Sequence, residues 1–191
     1  LAEITAVTND AAAFVKERTG RPGNIISNGI DLRKFNPRDQ GAKQDSERKT
    51  ILYVGRLEKR KGVKYLIRAY EKLAEQHDDV QLILAGTGEE REKLEDIVRF
   101  RDVPRVSFLG YVSEHRKIQL LEKANLFCAP ALYGESFGIV LLEAMAMNVV
   151  IVAANSPGYS SVLTGAGTSS LVDPKDTPRM AHRLEAMLYD E

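Results

Sequence analysis

The chain has 191 residues, enough to bury a sizeable core, so we expect one main domain with room for a fragment of a second. Its 27 basic residues balance its 27 acidic residues, which excludes an overall field that would attract nucleic acid or an anionic membrane. The single cysteine, Cys128, excludes an internal disulfide and a structural zinc site, and no run reaches the roughly 18 apolar residues that span a bilayer. We therefore expect a cytoplasmic protein with no membrane span.

The first 36 residues have the pattern of another domain's edge. Their predicted elements are a strand, a helix, a turn and a second short strand, at 4–8, 10–17, 20–23 and 24–27. Residues 37–49 are polar and charged without an apolar period, which predicts a surface linker, and residues 50–191 follow as the main domain. Because the chain starts without methionine and ends directly after an amphipathic segment, we expect a piece of a longer protein.

Strand and helix patterns alternate along the main domain. Short, nearly continuous apolar runs predict buried strands at 51–54, 80–85, 106–109, 125–129, 149–153 and 169–172. Apolar residues spaced three and four apart predict helices at 62–75, 90–100 and 113–123, the last with Ser113 as its N-cap. This alternation is typical of a Rossmann-like, doubly wound α/β fold, whose ligands bind at the carboxyl ends of parallel strands.

The stretch 129–146 joins a strand to a helix. A loop with Gly134 follows the strand, and Ser136 is placed to cap the helix. The free N–H groups and the positive dipole end of this helix make an anion site, and Gly138 has no side chain to keep a ligand from the backbone. The stretch therefore predicts a phosphate site.

Two glutamates mark the same stretch. Glu135 precedes the helix and Glu143 lies on it, so at a rise of 1.5 Å per residue their backbones are about 12 Å apart. Glycosidases place their two catalytic carboxyl groups roughly 5 to 9.5 Å apart. The larger separation argues against Glu135 and Glu143 flanking a single glycosidic bond. They suit the hydroxyl groups at the two ends of a nucleotide sugar. The alternative is a capping-region glutamate and a solvated helix glutamate.

A second loop between a strand and a helix, at 54–62, carries cations where ligands bind. Arg56 can grip a phosphate bidentately and Lys61 adds a point charge, so the pair could stabilise a diphosphate leaving group without a metal. Taken alone, this basic segment would be a solvated loop. Its pairing with the glutamate stretch favours a ligand site.

The other candidate motifs favour structural roles. Gly86 and Gly88 lie between a strand and a helix, but Arg91 stands where a dinucleotide fingerprint would have its third glycine, which argues against a nicotinamide cofactor. The loop 110–114 either borders a base or is a plain connection. Cys128 lies in an apolar strand without an adjacent base, and the histidines lack spaced partner ligands, so neither thiol nor metal chemistry is predicted.

Together these motifs resemble the C-terminal domain of family 4 retaining glycosyltransferases of the two-Rossmann-domain (GT-B) architecture, over nearly the whole chain. The matching segments are 5–8, 26–31 with Phe35, 55–57, 61–62 and 135–143. The first two look like the end of that family's N-terminal domain, the next two like its diphosphate loop, and the last like its two-glutamate motif. The sequence from Cys128 to Val140 is especially similar to that of phosphatidyl-myo-inositol mannosyltransferases and their relatives.

The resemblance implies a GDP- or UDP-sugar donor, no cofactor and no metal, with the anomeric configuration retained by front-face attack. It implies that Arg56 and Lys61 bind the diphosphate, Glu135 the transferred hexose and Glu143 the ribose, and that the first three act in catalysis. Loop amides would contact the sugar and phosphates, and the start of the 113–123 helix would border the base. The donor-binding residues expected in this way are Gly55, Arg56, Lys61, Val112, Glu114, Lys117, Glu135, Ser136, Phe137, Gly138, Ile139, Val140 and Glu143.

Two turns depart from the family pattern. The family usually has Gly and, two residues later, Pro, where this chain has Asn148 and Val150. Residues 168–170 replace a turn that is usually similar to Asn-Gly-Leu. We interpret both departures as packing changes rather than lost chemistry.

The resemblance also implies an N-terminal domain with the acceptor site, a glycine-rich loop and further catalytic groups. Because almost all of it lies outside this chain, we expect the chain to bind the donor nucleotide weakly and to transfer no sugar alone. Any peripheral membrane association of the parent protein would come from elsewhere. The alternatives are a non-catalytic nucleotide-sugar-binding module and a nucleotide-sugar epimerase or hydrolase of the same architecture. The sequence leaves the base and sugar open, with a lean toward mannose.

Overall fold

The computed structural model describes residues 3–35 and 48–189. The predicted linker, 37–49, lies outside these residues except for its last two. Lys49 already belongs to the first strand of the main sheet, so the linker prediction extends one residue too far. None of the helices in the two described ranges is both long and apolar enough to cross a bilayer.

The first described range forms a small unit with the predicted elements. Two short parallel strands, β1 (Thr5–Ala6) and β2 (Asn24–Ile25), flank helix α1 (Asn9–Thr19) in the chain. The Thr8 side chain caps α1 by accepting a hydrogen bond from the Ala11 amide at 3.2 Å. No residue of α1 is buried, as expected for a segment too small to close a core.

The second range is built on one sheet of six parallel strands, which confirms the predicted α/β fold. The strands are β3 (Lys49–Val54), β4 (Val80–Ala85), β5 (Val106–Gly110), β6 (Leu126–Ala129), β7 (Val150–Ala154) and β8 (Leu171–Val172). Their spatial order is β5-β4-β3-β6-β7-β8, so the strand order reverses between β3 and β6. Such a reversal leaves a crevice at the carboxyl ends of the two strands, where ligands bind.

Helices cover both faces of the sheet and divide the core in two. They are α2 (Val63–Ala74), α3 (Arg91–Phe100), α4 (Glu114–Lys123), α5 (Ile139–Ala146), α6 (Pro157–Ser160) and α7 (Thr177–Tyr189). The buried apolar side chains of α2 and α7 belong to one core cluster, and those of α4 and α5 belong to the other. Successive residues of a strand face opposite sides, so Ile51 joins the first cluster and Leu52 the second. Burial on both faces explains why the strands are nearly continuously apolar.

One predicted strand proved shorter than its pattern indicated. Residues Gly165–Ser170 form a 3-10 helix, and only Leu171–Val172 pair with β7. The hydroxyls of Thr168 and Ser169 donate hydrogen bonds to carbonyls three residues back, at 2.8 and 3.0 Å, which favours a turn over a strand. The prediction for Ser113 is confirmed, because its side chain caps α4.

The end of α7 is tied to the loop before β4. The Tyr189 ring stacks on His77 with ring centroids 4.1 Å apart, and its hydroxyl donates to Asp79 at 2.6 Å. The Nε2 atom of His77 lies 2.8 Å from a carboxylate oxygen of Glu185 on α7. These contacts explain His77 as a packing residue.

Asn148 ends α5 in the left-handed conformation, at a φ of 51°. Its amide donates to the Met145 carbonyl at 2.9 Å, and the Val149 amide donates to the Ala144 carbonyl at 3.0 Å. This pair of hydrogen bonds is the Schellman motif, which favours glycine and tolerates asparagine. The asparagine at a position where glycine is usual therefore preserves the turn.

We expect Asn148→Gly to keep the free energy of unfolding within about 1 kcal/mol of wild type, because both residues reach the left-handed region. Asn148→Val should lower it by about 2 kcal/mol, because a β-branched side chain is strained there. Urea denaturation of both variants measures the difference. Equal stability of the two variants would show that the turn does not depend on the conformation of residue 148.

Candidate functional site

A cavity of about 340 Å³ opens at the carboxyl ends of β3 and β6, where the strand order reverses. This is the position at which parallel sheets of this kind bind ligands. The two strands and the loops that follow them supply most of its wall. The lining residues are Asn28, Tyr53, Val54, Gly55, Lys61, Phe127, Cys128, Ala129, Pro130, Ala131, Glu135, Ser136, Phe137, Gly138, Ile139, Val140 and Tyr159.

The loop after β3 and the loop after β6 touch backbone to backbone. Gly62 ends the first loop at a φ of 68°, and a Cβ atom there would lie 2.1 Å from the carbonyl oxygen of Pro130. The Leu132 amide donates a hydrogen bond to the Arg60 carbonyl at 2.8 Å. Only glycine permits the contact at position 62. Gly62 therefore allows the two loops to pack side by side in the cavity wall.

Glu135 is the acidic residue among those that line this cavity. Its Oε1 atom accepts hydrogen bonds from Lys61 Nζ and, at 3.1 Å, from Arg60 Nη1. The Nε atom of Arg60 also donates to Glu58 Oε2 at 2.9 Å. The structure thus brings the expected Lys61 and Glu135 together and adds Arg60, which sequence reasoning missed. Arg60 stands in a basic run, and only the fold of the loop shows which of its members face Glu135.

Arg56 lies at the rim instead of in the wall. Its Nη1 atom is 2.6 Å from Glu58 Oε1, and 68% of its side chain is exposed. It is absent from the residues that line the cavity. In this structure Arg56 therefore contacts Glu135 only indirectly, through Glu58 and Arg60.

Helix α5 begins later than the sequence predicts. It starts at Ile139, Gly138 precedes it at a φ of 88°, and no side chain caps it. The prediction that Ser136 caps this helix is therefore wrong, because an N-cap must directly precede the first turn. The uncapped first amides lack intrahelical partners, and Ile139 and Val140 line the cavity. These amides can bind an anion.

Glu143 forms a separate charge pair. The estimate of about 12 Å between it and Glu135 assumed helical rise throughout, whereas only 139–143 is helical. Its Oε1 atom accepts a hydrogen bond from Lys117 Nζ on α4 at 2.6 Å, and Lys117 also lies over the Phe35 ring. Glu143 is 7% exposed and does not line the cavity. The two glutamates therefore pair with different cations, Glu135 with Arg60 and Lys61 and Glu143 with Lys117.

The residues expected at the base lie on the connection from β5 to α4. Val112 packs, partly buried, against the core cluster of α5, and Glu114 in the first turn of α4 is 3.5 Å from Lys34. Lys117 is one turn further along and contacts Glu143. Of these residues the structure brings Lys117 to Glu143, and it leaves all three outside the cavity wall.

Three buried titratable side chains line the cavity, and sequence reasoning missed the two tyrosines. Burial raises the pKa of Tyr53 and Tyr159, and the negative charge of Glu135 raises both further. Burial also raises the pKa of the Cys128 thiol. All three groups stay protonated at neutral pH, so the phenols can donate hydrogen bonds and the thiol is not activated. Cys128 is a buried core residue, as predicted.

The glycines at 86 and 88 have a packing role. A Cβ atom on Gly86 would lie 1.8 Å from the Gly55 carbonyl oxygen, and one on Gly88 would lie 2.3 Å from the Leu57 carbonyl oxygen. Both glycines therefore allow the loop after β4 to press against the loop after β3. This close packing explains the two glycines of the Gly-Thr-Gly pattern without assigning them a role in binding a dinucleotide.

Comparisons with known proteins agree with this architecture. A model of the family described as glycosyl transferases group 1 matches residues 35–191. Phosphatidyl-myo-inositol mannosyltransferase of Mycolicibacterium smegmatis is 34% identical over 190 residues, which cover 97% of this chain and 48% of that protein. Alpha-D-kanosaminyltransferase of Streptomyces kanamyceticus is 34% identical over 145 residues, 75% of this chain and 37% of that protein.

Solved structures share the fold. HepE of Anabaena, in complex with UDP and glucose, superposes with a TM-score of 0.85 at 23% identity, covering 98% of this chain and 54% of that chain. The chain spans about half the length of the curated mannosyltransferases it matches, 48% and 50% for the first two.

Gly138→Ala should destabilise the protein more than Gly165→Ala. Both glycines have positive φ, 88° and 57°, so either alanine is strained by about 1 kcal/mol. A Cβ atom at 138 would also lie 2.5 Å from the Tyr159 ring, whereas one at 165 meets nothing within 4 Å. We expect the clash to lower the free energy of unfolding by a further 1 to 3 kcal/mol, roughly, in urea denaturation. Equal losses would mean that the ring moves aside without cost.

Proposed function

Because this chain belongs to the group 1 glycosyl transferase family, we propose that it is the donor-binding half of a glycosyltransferase. The enzyme would move a hexose from a nucleoside-diphosphate sugar to an acceptor. The acceptor would be bound by a domain outside this chain, so the chain alone would bind the donor without transferring sugar.

One observation carries the proposal. At the point where the strand order reverses, a carboxylate paired with two cations faces the same cavity as the uncapped start of a helix. A nucleotide sugar needs acceptors for sugar hydroxyls beside donors for phosphate oxygens. The cavity supplies both.

The proposed binding mode follows the charges. Glu135 accepts hydrogen bonds from the hexose hydroxyls, and the α5 amides bind the diphosphate with Lys61 nearby. Arg56 reaches the diphosphate from the rim. Glu143 binds the ribose hydroxyls, and the start of α4 borders the base. No metal is needed in this mode, because amides and cationic side chains stabilise the charge of the leaving group.

In the proposed reaction, the bond from the anomeric carbon to the diphosphate oxygen breaks and a bond from that carbon to the acceptor oxygen forms. The acceptor proton passes to the departing phosphate oxygen. Front-face attack would retain the anomeric configuration. No carboxylate pair flanks the reacting bond in this mode, since Glu135 and Glu143 are held by different cations.

The donor class draws support from the relatives. HepE was solved with UDP and glucose, and the Mycolicibacterium smegmatis relative is named a mannosyltransferase. A UDP- or GDP-hexose is therefore the donor we propose, with mannose favoured by the mannosyltransferases, which match this chain over 97% of its length. An epimerase or hydrolase of the same architecture would act without an acceptor, so product analysis in the absence of acceptor separates these reactions.

The first test is calorimetric titration of this chain with GDP, UDP and NAD. We expect GDP or UDP to bind, and Glu143→Ala to weaken that binding about tenfold or more, because a hydrogen bond to a carboxylate is lost. Glu143→Gln retains the side-chain volume, and Glu92→Ala, on the exposed first turn of α3, serves as the control. Binding of NAD alone, or of no nucleotide at millimolar concentration, would contradict the proposal.

The second test asks whether Glu135 acts on the reacting sugar. In the full-length protein, Glu135→Ala should lower kcat about a hundredfold, because its contact with the hexose strengthens toward the transition state. Nucleotide affinity should change little. Steady-state kinetics with Glu92→Ala as control checks this, and an unchanged rate would favour a binding module without turnover.

A further inference from the structure

A chain of ion pairs runs along the loop after β3 to the cavity. Arg56 Nη1 lies 2.6 Å from Glu58 Oε1, and Arg60 Nε donates to Glu58 Oε2 at 2.9 Å. Arg60 Nη1 then reaches Glu135 Oε1 at 3.1 Å. The network therefore joins the arginine expected at the diphosphate to the glutamate expected at the hexose.

Arg60 is the member of this network that joins the two loops. Besides Glu58 and Glu135, its Nη1 atom donates to the Gly134 carbonyl at 3.1 Å. A Cβ atom on Gly134 would lie 3.3 Å from Nη1, so glycine at this position gives the guanidinium room. The Arg60 side chain is 23% exposed, which makes it a largely enclosed cation instead of a solvated one.

The two oxygens of Glu135 are not equivalent. Oε1 accepts from both Arg60 and Lys61, whereas Oε2 accepts no hydrogen bond from any residue in 3–35 or 48–189. Only 12% of the Glu135 side chain is exposed, and the residue lines the cavity. An accessible carboxylate oxygen without a protein partner, in a cavity wall, is free to accept hydrogen bonds from a ligand.

We propose that Arg60 is a positioning residue that holds Oε1 of Glu135 so that Oε2 receives a hydroxyl group of the donor hexose. Glu58 orients Arg60 in turn and contacts Arg56 at the same time. The sugar and diphosphate ends of the site are thereby aligned by one network. This inference rests on the proposed function and names the residue that sets its sugar contact.

The geometry needs an arginine. The Nε and Nη1 atoms of Arg60 contact different partners in a fixed planar arrangement, whereas a lysine has a single nitrogen on a flexible stem. Arg60→Lys keeps the charge but cannot hold Glu58 and the Gly134 loop together. We therefore expect it to resemble Arg60→Gln in sugar binding while remaining closer to wild type in stability.

The experiment compares a nucleotide with its sugar nucleotide. Calorimetry gives the dissociation constants of UDP and UDP-glucose, and of GDP and GDP-mannose, for wild type, Arg60→Gln and Arg60→Lys. The readout is the ratio of the sugar-nucleotide constant to the nucleotide constant. Arg99→Gln removes an exposed ion pair with Asp96 on α3 and is the matched control. Thermal denaturation shows that each variant is folded.

We expect both Arg60 variants to raise this ratio about tenfold, with nucleotide affinity within about twofold of wild type. The control should leave the ratio unchanged. Equal weakening of nucleotide and sugar nucleotide would show that Arg60 only holds the loop in place, and unchanged affinity for both ligands would show that it has no role at the sugar; either result overturns the proposal. If wild type binds neither ligand, the proposed function itself fails.

Discussion

The reversal of strand order between β3 and β6 is the constraint on which the site depends. The chain leaves β3 toward one edge of the sheet and later builds from β6 toward the other, so no connection covers the carboxyl ends of these two strands. Parallel pairing of Ile51 with Leu126 keeps the strands in register, and the two following loops begin level with each other. Lys61 and Glu135 can meet only because their loops start side by side.

Close backbone approach then sets the shape of the cavity. Gly62 admits the Pro130 carbonyl, and Gly158 lies against the Glu135 backbone, where a Cβ atom would be 2.1 Å from the carbonyl oxygen. Gly138 leaves room for the Tyr159 ring at the start of α5. Side chains at these positions would separate the loops, so the glycines are as important to the charge arrangement as the charged residues.

The apolar periodicity of the sequence predicted the strands and helices well, but residue types alone did not predict which contacts individual side chains make. The strands 80–85 and the helix 90–100 lie within a residue of their predicted bounds, because burial on one or both faces leaves a clear apolar period. The Ser136 cap was wrong because capping depends on backbone angles that residue type alone does not reveal. Arg60 was missed because its neighbours in the run are also basic, so residue type does not distinguish them. The direction of each side chain is set by the short 3-10 helix Lys59–Lys61.

Four cations in and around the site, Arg56, Arg60, Lys61 and Lys117, are each already paired with a carboxylate of the protein. The pairs are Arg56 and Arg60 with Glu58, Arg60 and Lys61 with Glu135, and Lys117 with Glu143. An anionic ligand that contacts one of these cations must share it or break a pair, which offsets much of the Coulomb attraction. The start of α5 has no such competitor, because no side chain caps it. Phosphate affinity should therefore come chiefly from the α5 amides, and the paired cations serve mainly to aim the carboxylates. In the proposed function, this division of roles would let a chain with balanced charge bind an anionic donor.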